Sequence, residues 1–224
     1  MVKSDPADVV AGFYDRWANL YANAVRHAPG VGRLRRLTIE EMELDTGATV
    51  VDMGCGPGVN FPYLTEYIGQ DGRLVGVDIA PEMLKRAARV DPASELVLGD
   101  GSRPPIGGEI DAVLATFVVT LFEDPEQVVD AWWSTLAPGG CLAMLNLGPM
   151  RGLAGALGNP LLRIGLRLTT PNAGRFDRNL LTVLDERMQA AQHAVEQRAD
   201  RIVLYDSADG LFRVVVGTKP IHQS

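Results

Sequence analysis

The sequence predicts an α/β fold, a doubly wound and mostly parallel sheet with helices on both faces, and three observations predict it. Short apolar runs ending in an acid recur along the chain, at Val50-Val51-Asp52, Val75-Gly76-Val77-Asp78 and Leu96-Val97-Leu98-Gly99-Asp100. Such runs read as buried parallel strands. Segments of helical periodicity separate them, so strands and helices alternate and the crossovers are right-handed. The first run enters Gly54-Cys55-Gly56-Pro57-Gly58, where glycine at every second position lets backbone amides approach a ligand. With 224 residues and 46% hydrophobic content the chain has material for one domain with a full core.

The elements follow in order. Asp5 caps a first helix with Pro6 at its first position, and Phe13, Trp17 and Leu20 recur on its inner face. Tyr14 and Tyr21, two turns apart, share one side of it. Pro29-Gly30 breaks that helix, a second runs from Arg33 to Glu43, and Thr46-Gly47 turns the chain into the first strand. After the glycine loop the spacing predicts a helix over 59–68, a strand over 73–78 and a helix starting at Pro81 with Met83, Leu84 and Ala87 toward the sheet. Strands follow over 95–99 and 110–116, separated by a Pro/Gly-rich loop over 101–108. Asp124-Pro125 starts a helix that runs to Leu136, Pro138-Gly139-Gly140 turns, and Cys141 to Leu147 forms a fifth strand. Near the end, Leu180, Leu184, Met188, Ala191 and Val195 stripe a long helix, and Ser207 to Gly210 turns a hairpin of 201–205 and 211–218. The expected plan is one domain: a helical cap over 1–46, a core over 47–147, a lid-like insertion over 148–179 and a closing helix and hairpin over 180–224.

Composition narrows the function classes. A net charge of −7 speaks against nucleic acid as the partner, since phosphate binding needs a basic face. Cys55 and Cys141 stand at unrelated positions, which argues against a disulfide framework or a zinc site. His27, His193 and His222 are isolated, and no acid or histidine cluster has metal-ligand spacing. No apolar stretch is long enough to span a bilayer, and the start Met1-Val2-Lys3-Ser4-Asp5-Pro6 lacks a secretory apolar core, so a cytoplasmic protein is expected.

The glycines after Asp52 fall at relative positions one, three and five, with Val59 at the sixth, which departs from the dinucleotide fingerprint. Asp-x-Gly-x-Gly-x-Gly after a strand, an acid at Asp78 ending the next strand, Asp100 ending the third and Pro138-Gly139-Gly140 before the fifth resemble, in that order, the class I S-adenosylmethionine-dependent methyltransferases. The resemblance implies a Rossmann-like sheet of seven strands closed by an antiparallel hairpin, with S-adenosylmethionine as cofactor. It implies that the loop Gly54, Cys55, Gly56 and Gly58 passes the methionine and ribose portion, that Asp52 orders the loop and the methionine ammonium region, and that Asp78 accepts from both ribose hydroxyls. Ile79 and Met83 pack near adenine, Asp100 accepts from the adenine amino group with Gly101 beside it, and Thr116 and Phe117 form a wall at the end of strand four. Methyl transfer is an in-line displacement from a sulfonium and needs positioning and water exclusion more than acid-base groups. That fits a chain without a catalytic triad or a metal set.

The acceptor side is read from two features. The segment around Phe13 to Tyr21 is similar to the first helix of small-molecule and lipid methyltransferases, which places Tyr14 and Tyr21 over the donor methyl as candidate catalytic residues; the alternative is the rim of a packing face. Between Gly148 and Asn179, Arg151, Arg163, Arg167, Arg175 and Arg178 interleave with leucines against the single acid Asp177. This segment is either an amphipathic helix packed on the sheet or a lid that touches an anionic membrane and guides a hydrophobic acceptor. Phe117-Val118-Val119-Thr120 with Asp124-Pro125 and Leu145-Asn146-Leu147 looks like bacterial phosphatidylethanolamine N-methyltransferases, and the overall plan is similar to ubiquinone and menaquinone C-methyltransferases. The Asn-His pair of the lipid group is Asn146-Leu147 here. A hydrophobic, quinone-like or lipid-like small molecule is the expected acceptor, with peripheral membrane contact; a cofactor-binding protein without catalysis is the rival.

Overall fold

A computed structural model of the chain describes residues 30–169 and 180–221. The expected first helix with Tyr14 and Tyr21, together with His27, Arg175, Arg178 and His222, lies outside the described residues. Seven strands form one sheet: β1 (Thr49–Met53), β2 (Arg73–Asp78), β3 (Glu95–Leu98), β4 (Ile110–Thr116), β5 (Leu136–Leu147), β6 (Arg201–Ser207) and β7 (Phe212–Thr218). Their order is β3-β2-β1-β4-β5-β7-β6. The described helices are α1 (Val31–Glu40), α2 (Phe61–Ile68), α3 (Pro81–Val90), α4 (Pro125–Thr135), α5 (Gly152–Thr169) and α6 (Leu180–Glu196).

The centre of the sheet, β1, β2, β4, β5 and β7, is buried on both faces because its strands alternate between two apolar sets. Val51, Met53, Val113, Leu142 and Met144 face α4 and α6, where Trp132, Met188 and Ala191 cover them. Val50, Leu114, Ala143 and Leu145 face the other way, toward Leu34 and Ile39 of α1, Phe61 and Leu64 of α2 and Leu84 of α3. Period-two alternation with apolar residues on both sides is what a doubly covered parallel strand requires. Val51 is in register with Val75 on one side and Val113 on the other. The chain therefore leaves β1 toward β2, then returns to β1's other edge as β4. That reversal opens a crevice at the carboxyl ends of β1 and β4.

The helix boundaries follow local chemistry. Gly30 at φ 79 turns the chain into α1. Asp124 caps α4 by accepting from the Gln127 amide at 3.0 Å, with Pro125 at the first position, as the Asp-Pro pair predicts. The Trp132 indole donates to the Gly101 carbonyl at 2.7 Å and so pins the loop after β3 onto α4.

Three expectations are corrected. Helix α1 ends at Glu40 rather than Glu43, and α2 starts at Phe61 rather than Val59 because Gly58 is held at φ 74. Strand β5 begins at Leu136, not Cys141: the Pro138-Gly139-Gly140 turn is absorbed as an irregularity, with Ile110 opposite Leu136 and Ala112 opposite Cys141. Lys219 holds it there, its carbonyl accepting from Gly139 at 3.1 Å and its amide donating to Gly140 at 2.8 Å. The closing hairpin is antiparallel as expected, and β7 runs antiparallel to both β5 and β6, so β6 shares the direction of β5.

Candidate active site

The glycine loop joins β1 to α2, and its three glycines have different reasons to be glycine. All three sit at positive φ, 65 at Gly54, 54 at Gly56 and 74 at Gly58. A Cβ on Gly54 would come within 2.6 Å of Val118, and one on Gly58 within 2.9 Å of the Phe61 ring and 3.1 Å of the Ala87 backbone. Those two are required by packing of the protein on itself. At Gly56 a Cβ would meet nothing within 4 Å. The open space of the loop lies at Gly56, which sharpens the expectation that all three glycines face a ligand.

Asp78 closes the loop from the end of β2. Its Oδ2 accepts from the Gly56 amide and its Oδ1 from the Ala80 amide, each at 2.8 Å. One carboxylate thus fixes the Gly56 peptide of the loop and the start of α3 together, while the residue itself stays half-buried. Ile79 is half-buried beside it and Met83 is buried on the inner side of α3. Cys55 turns inward: its amide donates to the Val77 carbonyl at 3.0 Å, and its Sγ lies where a Cβ on Gly76 would stand at 2.9 Å. Burial, with Asp52 and Asp78 nearby, pushes the Cys55 thiol well above its ordinary range, so it behaves as a small neutral filler. Asp100 is exposed and shapes a turn by accepting from the Ser102 amide at 2.8 Å.

Asp52 is fully buried beneath the loop. Asn60 Nδ2 donates to both its oxygens at 2.9 Å and to Thr116 Oγ1 at 3.1 Å. Arg35, buried on α1, donates to Asn60 Oδ1 and to Thr116 Oγ1, the latter at 2.8 Å. Its guanidinium also lies 5.2 Å from the centre of the Phe117 ring. Phe117 has φ 60, a left-handed conformation that costs a bulky residue on the order of 1 to 3 kcal/mol. Its amide donates to the Leu145 carbonyl at 2.7 Å, and its ring meets Phe212 edge-on at 6.4 Å.

The sequence reading missed Arg35 and Asn60. Both left a signal. Arg35 stands among Leu34, Thr38 and Ile39, the buried face of α1, where a charged residue needs partners. Asn60 occupies the N-cap position of α2 yet makes no capping bond; the side chain that favours capping is spent on Asp52 instead.

Burial pushes the Asp52 carboxyl up from 3.8 to about 7, against the opposing pull of Asn60 and Arg35, while Asp78 adds to the rise. A raised carboxyl pKa favours the folded state below the unfolded value and loses that stabilisation as pH climbs through the folded value. The window is therefore about 4 to about 7, and the difference is on the order of 4 kcal/mol. Asp52→Asn should flatten the fall in melting temperature across that window while keeping an acceptor for Asn60. Equal slopes in the two proteins would show that Asp52 does not titrate there.

Helix α5 inverts the usual arrangement. Asn159 grips Met150, accepting from its amide at 2.9 Å and donating to its carbonyl at 3.0 Å. Gly155 and Gly158 leave room for Met150, since a Cβ on either would lie 2.1 Å from it. The small residues therefore face inward, and Leu153, Leu157, Leu161 and Ile164 are 87%, 79%, 71% and 59% exposed. These leucines are not packed on the sheet, which overturns ordinary packing as the reading of this row.

An open Gly56, an acid bridging it to the start of α3 and a second acid beneath the loop form a cradle that fits a nucleoside ligand with a cationic amino-acid tail. Among the described residues no group of acids, histidines and cysteines could hold a metal ion.

Comparison with known proteins agrees. Residues 51–144 match the methyltransferase domain family. The trans-aconitate 2-methyltransferase of Azoarcus sp. is 35% identical over 50% of this chain and 44% of its own length. The phosphatidylethanolamine N-methyltransferase of Cereibacter sphaeroides is 28% identical over 62% of this chain and 68% of its own. The chain spans 33%, 27% and 44% of the first three curated relatives it matches. In fold, it is similar to the Haemonchus contortus phosphoethanolamine N-methyltransferase 2 in complex with S-adenosyl-L-methionine, with a TM-score of 0.70 at 15% identity over 94% of this chain and 60% of that one. Strand order, strand-end acids and the methyltransferase-domain match over residues 51–144 together make this chain similar to the class I S-adenosylmethionine-dependent methyltransferases.

Proposed function

We propose that the chain transfers a methyl group from S-adenosylmethionine to a small hydrophobic acceptor, quinone-like or lipid-like, taken up at an anionic membrane surface. The observation that carries the acceptor class is the outward row Leu153, Leu157, Leu161 and Ile164 on α5, flanked by exposed Arg151 and Arg163 with no acid between Gly148 and Phe176. An apolar row edged by arginine suits the boundary of a negatively charged bilayer. No described helix is long and apolar enough to cross a membrane, so this contact is one of lying on the surface.

In this reading Asp78 takes the ribose hydroxyls on the lone pairs that Gly56 and Ala80 leave, and the open face of Gly56 admits the nucleoside. Ile79 and Met83 supply an apolar side for adenine, and Asp100 and Gly101 border it. Asp52 supplies negative charge under the methionine end, and Cys55 offers its backbone alone. Thr116 and Phe117 stand on the acceptor side, with Tyr14 and Tyr21 as the residues proposed to close over it. The cofactor supplies a methyl already activated by its sulfonium. The carbon–sulfur bond breaks with its electron pair going to sulfur as the acceptor bonds the methyl and releases a proton. The protein's part is to align the reactants and exclude water.

Two measurements test this. Labelled methyl should pass from the donor to 1,4-naphthoquinol or to dioleoyl phosphatidylethanolamine in vesicles; transfer to neither would sink the hydrophobic-acceptor reading. Co-sedimentation with phosphatidylglycerol vesicles should exceed that with phosphatidylcholine vesicles and weaken with salt. Leu157→Glu with Leu161→Glu should abolish it, and unchanged recovery would remove α5 from the membrane contact.

A further inference from the structure

We propose that Arg35 is a positioning residue for the transfer, locking α1, the cofactor loop and the acceptor-side wall into one register. The inference rests on the methyltransferase reading above. From α1 this one side chain meets the start of α2 and the end of β4 directly, and a third element, β1, through Asn60. It donates to Asn60 ahead of α2 and to Thr116 at the end of β4, at 2.8 Å for the latter, and it lies 5.2 Å from the centre of the Phe117 ring. Through Asn60 it reaches Asp52 at the end of β1. A planar guanidinium can donate from its edge and cover an aromatic ring with its face, and an ammonium cannot do both.

Two local rules are broken around it, and both breaks serve the same cluster. Asn60 gives up its capping role to bind Asp52, and Phe117 accepts a left-handed backbone beneath the guanidinium. Buried ion networks are often replaceable by apolar residues without loss of stability. A buried cation kept at the joint of two half-sites is explained by what it aligns. Removing it should let the Thr116–Phe117 wall move relative to the loop, so transfer suffers more than cofactor binding.

Among the described residues the charged and titratable groups around Asp52 are Arg35 from α1, Asp78 at the end of β2 and Cys55 in the loop, with the neutral Asn60 as its bonded partner. Arg35 pulls the Asp52 titration downward and Asp78 pushes it upward. A readout independent of turnover follows from that opposition.

The experiment compares wild type with Arg35→Met, Arg35→Lys and Thr116→Val. Melting without cofactor is followed from about pH 5 to about pH 9, S-adenosylhomocysteine affinity by calorimetry, and labelled transfer to 1,4-naphthoquinol. In Arg35→Met the titration midpoint of Asp52, read as the pH near 7 at which the fall in melting temperature ends in wild type, should move upward. Its S-adenosylhomocysteine affinity should fall about tenfold, and transfer about a hundredfold. Arg35→Lys should restore the midpoint but not the transfer. Thr116→Val should lower transfer at an unchanged midpoint, and it carries the test if Arg35→Met does not fold. A wild-type midpoint with wild-type affinity in folded Arg35→Met, or full transfer in Arg35→Lys, would overturn the proposal. Wild-type protein that fails to bind S-adenosylhomocysteine would sink the family's activity here instead, and the melting midpoint would still decide whether Arg35 governs Asp52.

Discussion

Asp78→Ala is expected to weaken binding of S-adenosylmethionine and S-adenosylhomocysteine by about ten- to a hundredfold, the worth of a hydrogen bond to a charged acceptor at roughly 1.5 to 3 kcal/mol. The structure adds a second route to the loss. Both carboxylate oxygens already hold backbone amides, of Gly56 and of Ala80 at 2.8 Å, so alanine also releases the peptide that borders the open space of the loop. Asp78→Asn separates the two: its single carbonyl oxygen can keep one amide, and its affinity should fall between those of wild type and Asp78→Ala. Calorimetry on the folded variants checks the order. Wild-type affinity in Asp78→Ala would remove this residue from the site.

What the sequence made legible was the part written in short, local patterns. Acid-ended apolar runs announced β1, β2 and β3, and Asp124-Pro125 announced α4, because strand burial and helix capping depend on neighbours within a few residues. The β5 boundary was not legible, since the Pro138-Gly139-Gly140 stretch joins the strand only through Lys219, some eighty residues away. Arg35 and Asn60 were hidden for the same reason. Their partners Asp52 and Thr116 lie on β1 and β4, adjacent only after the chain has wound out to β3 and back.

The outward face of α5 shows a different limit. Leucines at helical spacing read equally well as core or as surface, and periodicity cannot say which way the stripe points. The answer lay in the small residues. Gly155, Gly158 and Asn159 fit against Met150 and claim the inner face, so the leucines are left outside. A stripe of small residues opposite a stripe of large ones was the available sign.

The largest effect is expected at Gly56, where valine should abolish detectable binding of S-adenosylhomocysteine while the protein still folds. The comparison that isolates this is with Gly54→Val and Gly58→Val. All three positions hold positive φ, 65, 54 and 74 for Gly54, Gly56 and Gly58, so each valine carries a similar left-handed strain of about 1 to 2 kcal/mol. That common cost lowers melting by a few degrees in a domain of this size. At Gly54 and Gly58 the side chain must also displace Val118, or Phe61 and the Ala87 backbone, and overpacking adds about 1 to 3 kcal/mol. Gly56→Val has no protein neighbour within 4 Å to displace, and its branched side chain would occupy the space proposed for the nucleoside. Melting with and without S-adenosylhomocysteine reads both quantities at once, because a ligand at a hundred times its Kd raises stability by about 2.7 kcal/mol. Gly56→Val should melt highest of the three without ligand and gain nothing from it. A ligand-induced rise equal to that of wild type would show that the open side of Gly56 is not where the cofactor lies.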